Sequence, residues 1–328
     1  MLSINTSKKV VIVGDASADI IVQYPIFLND KRTNVEYRTP YLIGGGTAAN
    51  TAVALSRLGI DTSFIGTVGN DQYGRYIIDD FNKEHVSIEN LTVDNDVNTV
   101  GVFAFVDEHG ERYLWGWPRT KQSFKKLELE NVDFNLIRDA DWIHSTGMVF
   151  VDDTSARSTI LSIFKFAKEN GIKTSFDLNL RVNNGKIDED YRNSILSIVE
   201  LSNVILGSAE EEIFYLGDHA DWIDTARDLA QDNRMVIARL GSNGSMAFTS
   251  NEEFYADAFS VDVVDTIGAG DVYNAGFIAA QISGHSIQES IEGGNALSGY
   301  TVAKEGARSL PTIENLESFV NLHGRKIS

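Results

Sequence analysis

Apolar residues along this chain fall into two rhythms. Continuous β-branched runs such as VVIVG (Val10 to Gly14) read as strands buried on both faces, and TSFIGTVG, IKTSFDLN, NVILG, MVIARLG and SMAFTS read as further strands. Helical stretches lie between them. TAANTAVALSRLG ends at Gly59, a C-cap position, and TSARSTILSIFKFAKENG sets Ile160, Phe164 and Ala167 on one face before closing at Gly171. Strands alternating with helices of ~10–15 residues predict right-handed βαβ crossovers and a mostly parallel sheet.

Two segments break this order, Ile20 to Ile43 and Val100 to Trp117. Both alternate apolar and polar residues, and the second carries a hairpin turn, DEHGE. Three of the four prolines, Pro25, Pro40 and Pro118, lie in or beside them, which suits edge strands because proline cannot donate to a ladder. They predict a small antiparallel sheet inserted at about 20–43 and 100–117. No low-complexity or repeated stretch divides the rest, so one domain over 1–328 is expected.

Composition narrows the class. Hydrophobic residues make up 43% of the 328, ample for a sizeable core. Mean hydropathy is -0.14, and no apolar run approaches the roughly 20 residues of a membrane span. The opening MLSINTSKKVVIVG lacks a small-residue cleavage site and reads as a first strand, not a signal peptide. Cysteine is absent, which excludes disulfides and thiolate chemistry and fits a reducing cytoplasm. The net charge of -19 argues against nucleic acid or an anionic membrane as partner. None of the six histidines has metal-ligand spacing, which argues against zinc.

The chemistry concentrates in DTIGAGDVYNAGF, Asp265 to Phe277. The chain is expected to leave a strand after Val264. Gly268 and Gly270 permit tight turning, then Val272, Ala275, Ala279 and Ile282 mark one helical face that Gly284 ends. GAGD is therefore a helix N-terminus with bare N–H groups, a site suited to anions and to phosphate above all. Asp271 in its first turn has two readings. It is a capping acid favoured by the helix dipole, or a base that takes a proton from a hydroxyl attacking a phosphoryl group. IGGGTAANTA (Ile43 to Ala52) formally matches a dinucleotide fingerprint, but it does not follow the first strand of a βαβ unit, and the Walker signature is missing altogether.

These stretches together resemble the ribokinase-like carbohydrate kinases of the PfkB family, from about Val10 to Pro311. GGTAANTAVALSRLG resembles the N-terminal glycine signature, and VDTIGAGDVYNAGF the C-terminal one. FDLNLR resembles the D-x-N-x-R pattern, GSAEEEIFYLG stands at the N-x-x-E metal motif, and GGNALSGYTVAKEGARSLP resembles the last nucleotide-binding stretch. The resemblance implies an α/β, ribokinase-like fold, with a mostly parallel sheet between helices and a small β-sheet lid. It implies ATP-dependent phosphorylation of a sugar hydroxyl with Mg²⁺ and often a monovalent cation such as K⁺.

Carried over by position, Asp271 is the catalytic base, and Gly268, Ala269 and Gly270 form the anion hole. Asp19, Gly46 and Asn50 hold the sugar hydroxyls. Gly241, Asn295 and Ser208 serve the nucleotide. Glu211 meets Mg²⁺ through water, and Asp265 with the loop around Gly306 holds the monovalent cation. The lid closes over the sugar and clasps a second copy into a homodimer. Other readings stand beside these: Asp19 as a turn cap, Asn50 as a helix-start hydrogen bonder, Glu211 as one of three solvated glutamates on a helix's first turn. Gly293 and Gly294, in mid-helix, fit close approach of either a ligand or a neighbouring helix.

Two positions depart from the pattern. Ser208 stands where the metal motif has Asn. Thr47 stands where ribokinases and phosphosugar kinases resemble each other in carrying Lys, and the loss of that cation disfavours a phosphorylated substrate. Arg181 ends the D-x-N-x-R pattern and is a candidate either to clamp a sugar carboxylate or to steady the transferring phosphoryl group. Trp115 and Trp117 alternate with Tyr113 on one strand face, either to stack on substrate or to pack at a dimer seam. The expected function is a cytoplasmic kinase of an unphosphorylated monosaccharide or sugar acid. A nucleoside kinase and a catalytically silent sugar-binding regulator are the alternatives.

Overall fold

The computed structural model describes residues 3–24, 26–27, 35–107, 112–116, 120–231 and 233–323. In chain order the strands are β1 (Lys9–Val13), β2 (Ser17–Gln23), β3 (Ile26–Phe27), β4 (Val35–Glu36), β5 (Tyr41–Gly45), β6 (Asp61–Gly69), β7 (Leu91–Asp94), β8 (Val102–Val106), β9 (Arg112–Gly116), β10 (Trp142–Thr146), β11 (Lys173–Asp177), β12 (Val204–Ser208), β13 (Met235–Arg239), β14 (Ser245–Phe248) and β15 (Glu253–Ala256). The helices are α1 (Thr47–Arg57), α2 (Gln72–Lys83), α3 (Phe134–Arg138), α4 (Ser155–Glu169), α5 (Glu189–Val199), α6 (Trp222–Leu229), α7 (Ala269–Ile282), α8 (Ile287–Val302) and α9 (Ile313–Leu322).

The large sheet has the order β15-β14-β13-β12-β11-β10-β1-β6-β7. It is parallel from β13 to β7, and β14 and β15 add an antiparallel edge. Alternation on β1 divides the core. Val10 and Ile12 enter the cluster formed with α1, α7 and α8, whereas Val11 and Val13 enter the one formed with α4 and α5. Both faces of the sheet are thereby covered, as the continuous apolar runs require. Helix α4 buries Ile160, Phe164 and Ala167 as its periodicity predicts.

A second sheet, ordered β5-β2-β8-β9, forms from the two segments that broke the sequence rhythm. It is mixed rather than antiparallel: β2 and β8 run parallel, with Ile20 opposite Phe103 and Val22 opposite Phe105. Both strands leave the large sheet in the same direction, so the antiparallel expectation fails at that seam alone. The sheet also begins earlier than expected, at Ser17. The turn tip at 108–111, Pro25, Pro118 and Trp117 lie outside the described residues.

Two further corrections concern connections. No strand precedes the GAGD helix. β15 ends at Ala256, residues 257–268 are irregular apart from a turn, and Val263 and Val264 are 62% and 59% exposed. The expectation took an apolar pair for a strand end. The three glutamates do not open an α-helix; they form a turn before a short 3₁₀ segment, Ile213–Leu216. Close approach of the neighbouring helix α7 accounts for Gly294 in α8 and for Gly276 opposite it. A Cβ on Gly276 would meet the Gly293 carbonyl oxygen at 2.7 Å, and one on Gly294 would meet the Tyr273 ring at 2.7 Å. Among the described residues no helix is long and apolar enough to cross a membrane.

Candidate active site

The carboxyl ends of the parallel strands gather polar groups, the usual place for ligands in an open α/β sheet. β1 leads to Asp15, β10 ends at Thr146, β11 at Asp177, β12 at Ser208 and β13 at Arg239. Two helices point their N-termini at this edge. Helix α1 starts after Gly46, which has φ 99°, and a Cβ there would meet the Ala16 Cα and the Asp15 oxygen at 2.8 Å. Gly46 provides no side-chain cap, and Asp15 supplies one from a distance. Its carboxylate accepts from Thr47 N at 2.9 Å and Ala48 N at 3.3 Å. Burial holds Asp15 above the usual carboxylate range against these bonds.

Helix α7 starts after Gly268 in the left-handed conformation, φ 77°, with the Ala307 side chain so close that a Cβ would lie 2.5 Å from it. Only glycine meets both demands. The helix is buried from Val272 to Ala280, so its first turn is rigidly held. Asp271 in that turn accepts from Asn50 Nδ2 at 2.8 Å, and its backbone carbonyl accepts from Thr51 Oγ1 at 3.0 Å. The two helix starts are thus bonded to each other. Burial pushes Asp271 well above the usual carboxylate range. Asn50 and Arg239 pull the other way, while Asp177 and Asp15 add to the rise.

Two clefts meet at this turn. One is lined by Asp15, Asp19, Gly46, Asn50, Arg181 and Leu114, and it reaches Gly268 and Asp271. The other is lined by Ser208, Glu211, Gly241, Asn295, Trp222 and Tyr273, and it reaches Ala269 and Gly270. The residues singled out by sequence that line these clefts separate into two groups on either side of one helix N-terminus. Asp19 lies on β2, where its carboxylate accepts from Ser17 Oγ at 3.0 Å and Val102 N at 3.2 Å, and burial raises its pKa. Asn50 keeps a buried Oδ1 without a partner. Asn295 lines the second cleft, but its amide donates to the carbonyls of Ala256 and Asp257. Asp265 accepts from Gly306 N at 2.7 Å and from Ile267 N at 3.0 Å, so those two residues do come together.

Trp115 is a correction. It sits on the face of the small sheet opposite the cleft, 58% exposed, with its ring 5.8 Å from that of Phe103. Strand alternation puts Leu114 and Gly116 into the cleft instead. On the outer face Tyr113 stacks on Tyr24, with centroids 6.5 Å apart. Trp117 cannot be placed with them, since it lies outside the described residues.

Sequence reasoning missed the charged centre beneath α7. Arg239 Nη2 donates to Asp177 at 2.8 Å and to Glu212 at 3.2 Å; Nη1 donates to Asn274 Oδ1 at 2.8 Å and the Gly270 carbonyl at 3.3 Å. Burial opposes the charge on Arg239, yet Asp177 and Glu212 outweigh it and hold the group above its ordinary value. Burial and the neighbouring Asp177 raise Glu212, because two carboxylates share one guanidinium. Of the three glutamates it is Glu212 that turns inward, accepting from Ser208 N and from Leu180 N at 2.8 Å, while Glu211 stays exposed on the rim. The only signal in the sequence was Asp177 itself, inside FDLNLR. Arg308 was also missed. It donates to the Gly44 carbonyl at 3.1 Å and lies 3.2 Å from Asp80, tying the loop of Gly306 to the base of the small sheet.

Comparison with known proteins identifies this arrangement. Residues 7–313 match the pfkB family carbohydrate kinases, and the chain belongs to that family. It is accordingly a phosphotransferase acting on a sugar hydroxyl. It is similar to an ATP-dependent ribose-1-phosphate kinase of Halopiger xanaduensis, 31% identical over 85% of this chain and 86% of the relative. It is similar to a probable fructokinase-4 of Arabidopsis thaliana, 30% identical over 84% and 87%, and to a 5-dehydro-2-deoxygluconokinase of Geobacillus thermodenitrificans, 27% identical over 84% and 83%. Among solved structures it resembles a ribokinase II from Escherichia coli in complex with ATP and Mg²⁺, TM-score 0.83, 23% identity, covering 96% of this chain and 100% of the other. It also resembles a Vibrio cholerae fructokinase double mutant with fructose, ADP and potassium ion, TM-score 0.78, 24% identity, covering 97% and 99%. At these identities the structural likeness establishes the ribokinase-like fold.

Proposed function

We propose that the protein transfers the γ-phosphoryl group of ATP to a hydroxyl of an unphosphorylated monosaccharide or sugar monoacid, with Asp271 as general base. The observation that carries this reading is the position of Asp271, on the first turn of the helix at which the two clefts meet. A sugar in the first cleft would offer its hydroxyl to the Asp271 carboxylate. The backbone N–H groups of Gly268, Ala269 and Gly270 would hold the charge developing on the phosphoryl oxygens. Asp19 and the free Oδ1 of Asn50 would accept from other hydroxyls, with Gly46 allowing close approach. Gly241, Asn295 and Ser208 would line the nucleotide.

The donor set fits Mg²⁺ carried by the nucleotide. Among the described residues no group of three or more His, Cys, Asp or Glu could hold a metal alone, and Mg²⁺ usually keeps several waters beside one or two carboxylates and the phosphates. Glu211, on the rim of the nucleotide cleft, would act through such a water. Mg²⁺ would supply neutralisation of phosphate charge. Asp265, with the Gly306 loop, would serve a monovalent cation. The exposed aromatic face bearing Trp115 would clasp a second copy through the lid, and the setting would be cytoplasmic.

A nucleoside substrate loses its main support, because Trp115 faces away from the cleft. A silent regulator is disfavoured by the intact Asp271 turn. The reading is tested by ATP turnover over fructose, 5-dehydro-2-deoxygluconate, ribose 1-phosphate and a nucleoside. Turnover of an unphosphorylated sugar or sugar acid is expected. Ribose 1-phosphate used at least as well as its unphosphorylated parent would overturn the substrate class.

A further inference from the structure

Two helices open onto the first cleft, and their N-termini are in opposite states. In α7 the amides of Gly270 and Asp271 have no acceptor among the described residues. In α1 the first three amides are all taken, and by one residue. Asp15 Oδ2 accepts from Thr47 N at 2.9 Å, Asp15 Oδ1 from Ala48 N at 3.3 Å, and the Asp15 backbone oxygen from Ala49 N at 3.2 Å. Asn50 N then donates to the Gly46 carbonyl at 2.8 Å, which starts the helical ladder. Gly46 makes this approach possible, since a Cβ there would meet the Asp15 backbone oxygen at 2.8 Å.

The Asp15 carboxylate is also held from the other side. Thr146 Oγ1, at the end of β10, donates to Oδ1 at 3.3 Å. Donors on both oxygens favour the ionised form. Asp15 is 6% exposed, yet it lines the cleft. A helix start beside a ligand cleft is ordinarily a phosphate site. Here the positive end of the α1 dipole already carries an anion that belongs to the fold. A phosphate seeking the same amides would approach against a like charge, and Asp19 and Asp271 add two more carboxylates to the same cleft.

We propose that Asp15 is a specificity-determining residue: it fills the N-terminus of α1 as a built-in anion and so refuses the phosphate of a phosphorylated sugar there. The bare turn of α7 is then the one helix start of the cleft left open to a phosphoryl group. The proposal rests on the assignment of this cleft to the sugar.

The test titrates inorganic phosphate into the wild-type protein, Asp15→Asn and Asp15→Ala without nucleotide, followed by NMR on the backbone amides of Thr47, Ala48 and Gly270. Asparagine keeps the size and one acceptor oxygen but not the charge; alanine also bares the Thr47 and Ala48 amides. Phosphate is expected to shift those two amides in both variants, with an apparent Kd at least about 10-fold below any seen there in the wild type, while Gly270 responds in all three proteins. In calorimetry ribose 1-phosphate should bind the variants roughly 10- to 100-fold more tightly than the wild type, with fructose gaining less than about 3-fold. Thr47 and Ala48 amides that stay still in the variants or move as strongly in the wild type would overturn the proposal. So would no gain for ribose 1-phosphate, or an equal gain for fructose. Unfolding of both variants would make Asp15 a structural cap alone and overturn it as well; if only Asp15→Ala unfolds, Asp15→Asn decides.

ATP turnover by the wild type separates the two claims. Phosphate shifts confined to the variants, with no sugar phosphorylated by the wild type, defeat the kinase reading and leave the proposal standing. Turnover of fructose, with Thr47 and Ala48 unmoved in the variants, does the reverse.

Discussion

Asn50 Nδ2 lies 2.8 Å from an Asp271 carboxylate oxygen, joining the first turns of two helices whose residues are more than two hundred positions apart. A donor on a buried carboxylate favours its ionised form, which is the form a base requires. Removing the donor in Asn50→Ala should push Asp271 still higher, so the acid limb of the kcat–pH profile should move up. A hydrogen bond to a charged group contributes about 1.5–3 kcal/mol, which corresponds to roughly one to two pH units. An acid limb that stays in place or moves down would show that Asn50 does not tune the base.

Arg239 holds two carboxylates and the Gly270 carbonyl beneath the same turn. Arg239→Met leaves Asp177 and Glu212 buried without their cation, a loss of about 3–5 kcal/mol for a broken buried pair. Urea unfolding should show it, and kcat should drop because the α7 turn loosens. A loss below about 1 kcal/mol would mean the network is not the support it resembles.

His144 is buried on β10, with Nδ1 2.8 Å from Ser175 Oγ, and burial lowers its pKa from 6.5 to about 4. Its folded value is depressed, so the uncharged ring contributes stability above about pH 6.5 that is lost as pH falls towards 4. The shift corresponds to about 3 kcal/mol. Unfolding free energies of wild type and His144→Gln should therefore converge between pH 7 and pH 4. A constant difference across that window would refute the assignment.

Leu114 and Trp115 are neighbours in sequence but face opposite ways, one into the first cleft and one out. Leu114→Ala should raise KM for the sugar several-fold with the association state unchanged. Trp115→Ala should leave KM alone and weaken the proposed homodimer in sedimentation. The reverse pattern would put the tryptophan back in the site.

The fold and the centre of the site were legible because their signals are local. Gly46 and Gly268 stand directly before helices whose apolar periodicity is plain, and VVIVG reads as a buried strand without knowledge of its neighbours. The failures needed tertiary information. Asp15 caps a helix beginning 32 residues later, and Arg239 reaches Asp177 across 62 positions. No short pattern encodes either pairing. Trp115 was misplaced because alternation tells which residues share a face but not which face meets the cleft. Glu212 went unremarked because spacing counted along the chain does not reveal which acid a turn directs inward. The parallel β2–β8 pairing was hidden for a similar reason, since both segments alternate as hairpin strands do.

The most direct test of the account is the single-turnover rate of Asp271→Asn with saturating ATP and the true sugar. Asparagine keeps the shape and the bond to Asn50 can re-form through its amide oxygen, but it cannot take a proton. The account predicts a rate lower by roughly 10²–10⁴ with ATP affinity unchanged. It also predicts a fold at least as stable near neutral pH: the folded pKa of Asp271 is raised, so its protonated form contributes stability at low pH that is lost as pH rises, and the neutral amide avoids that loss. Near-normal turnover in this variant would contradict the account and reduce Asp271 to a helix cap.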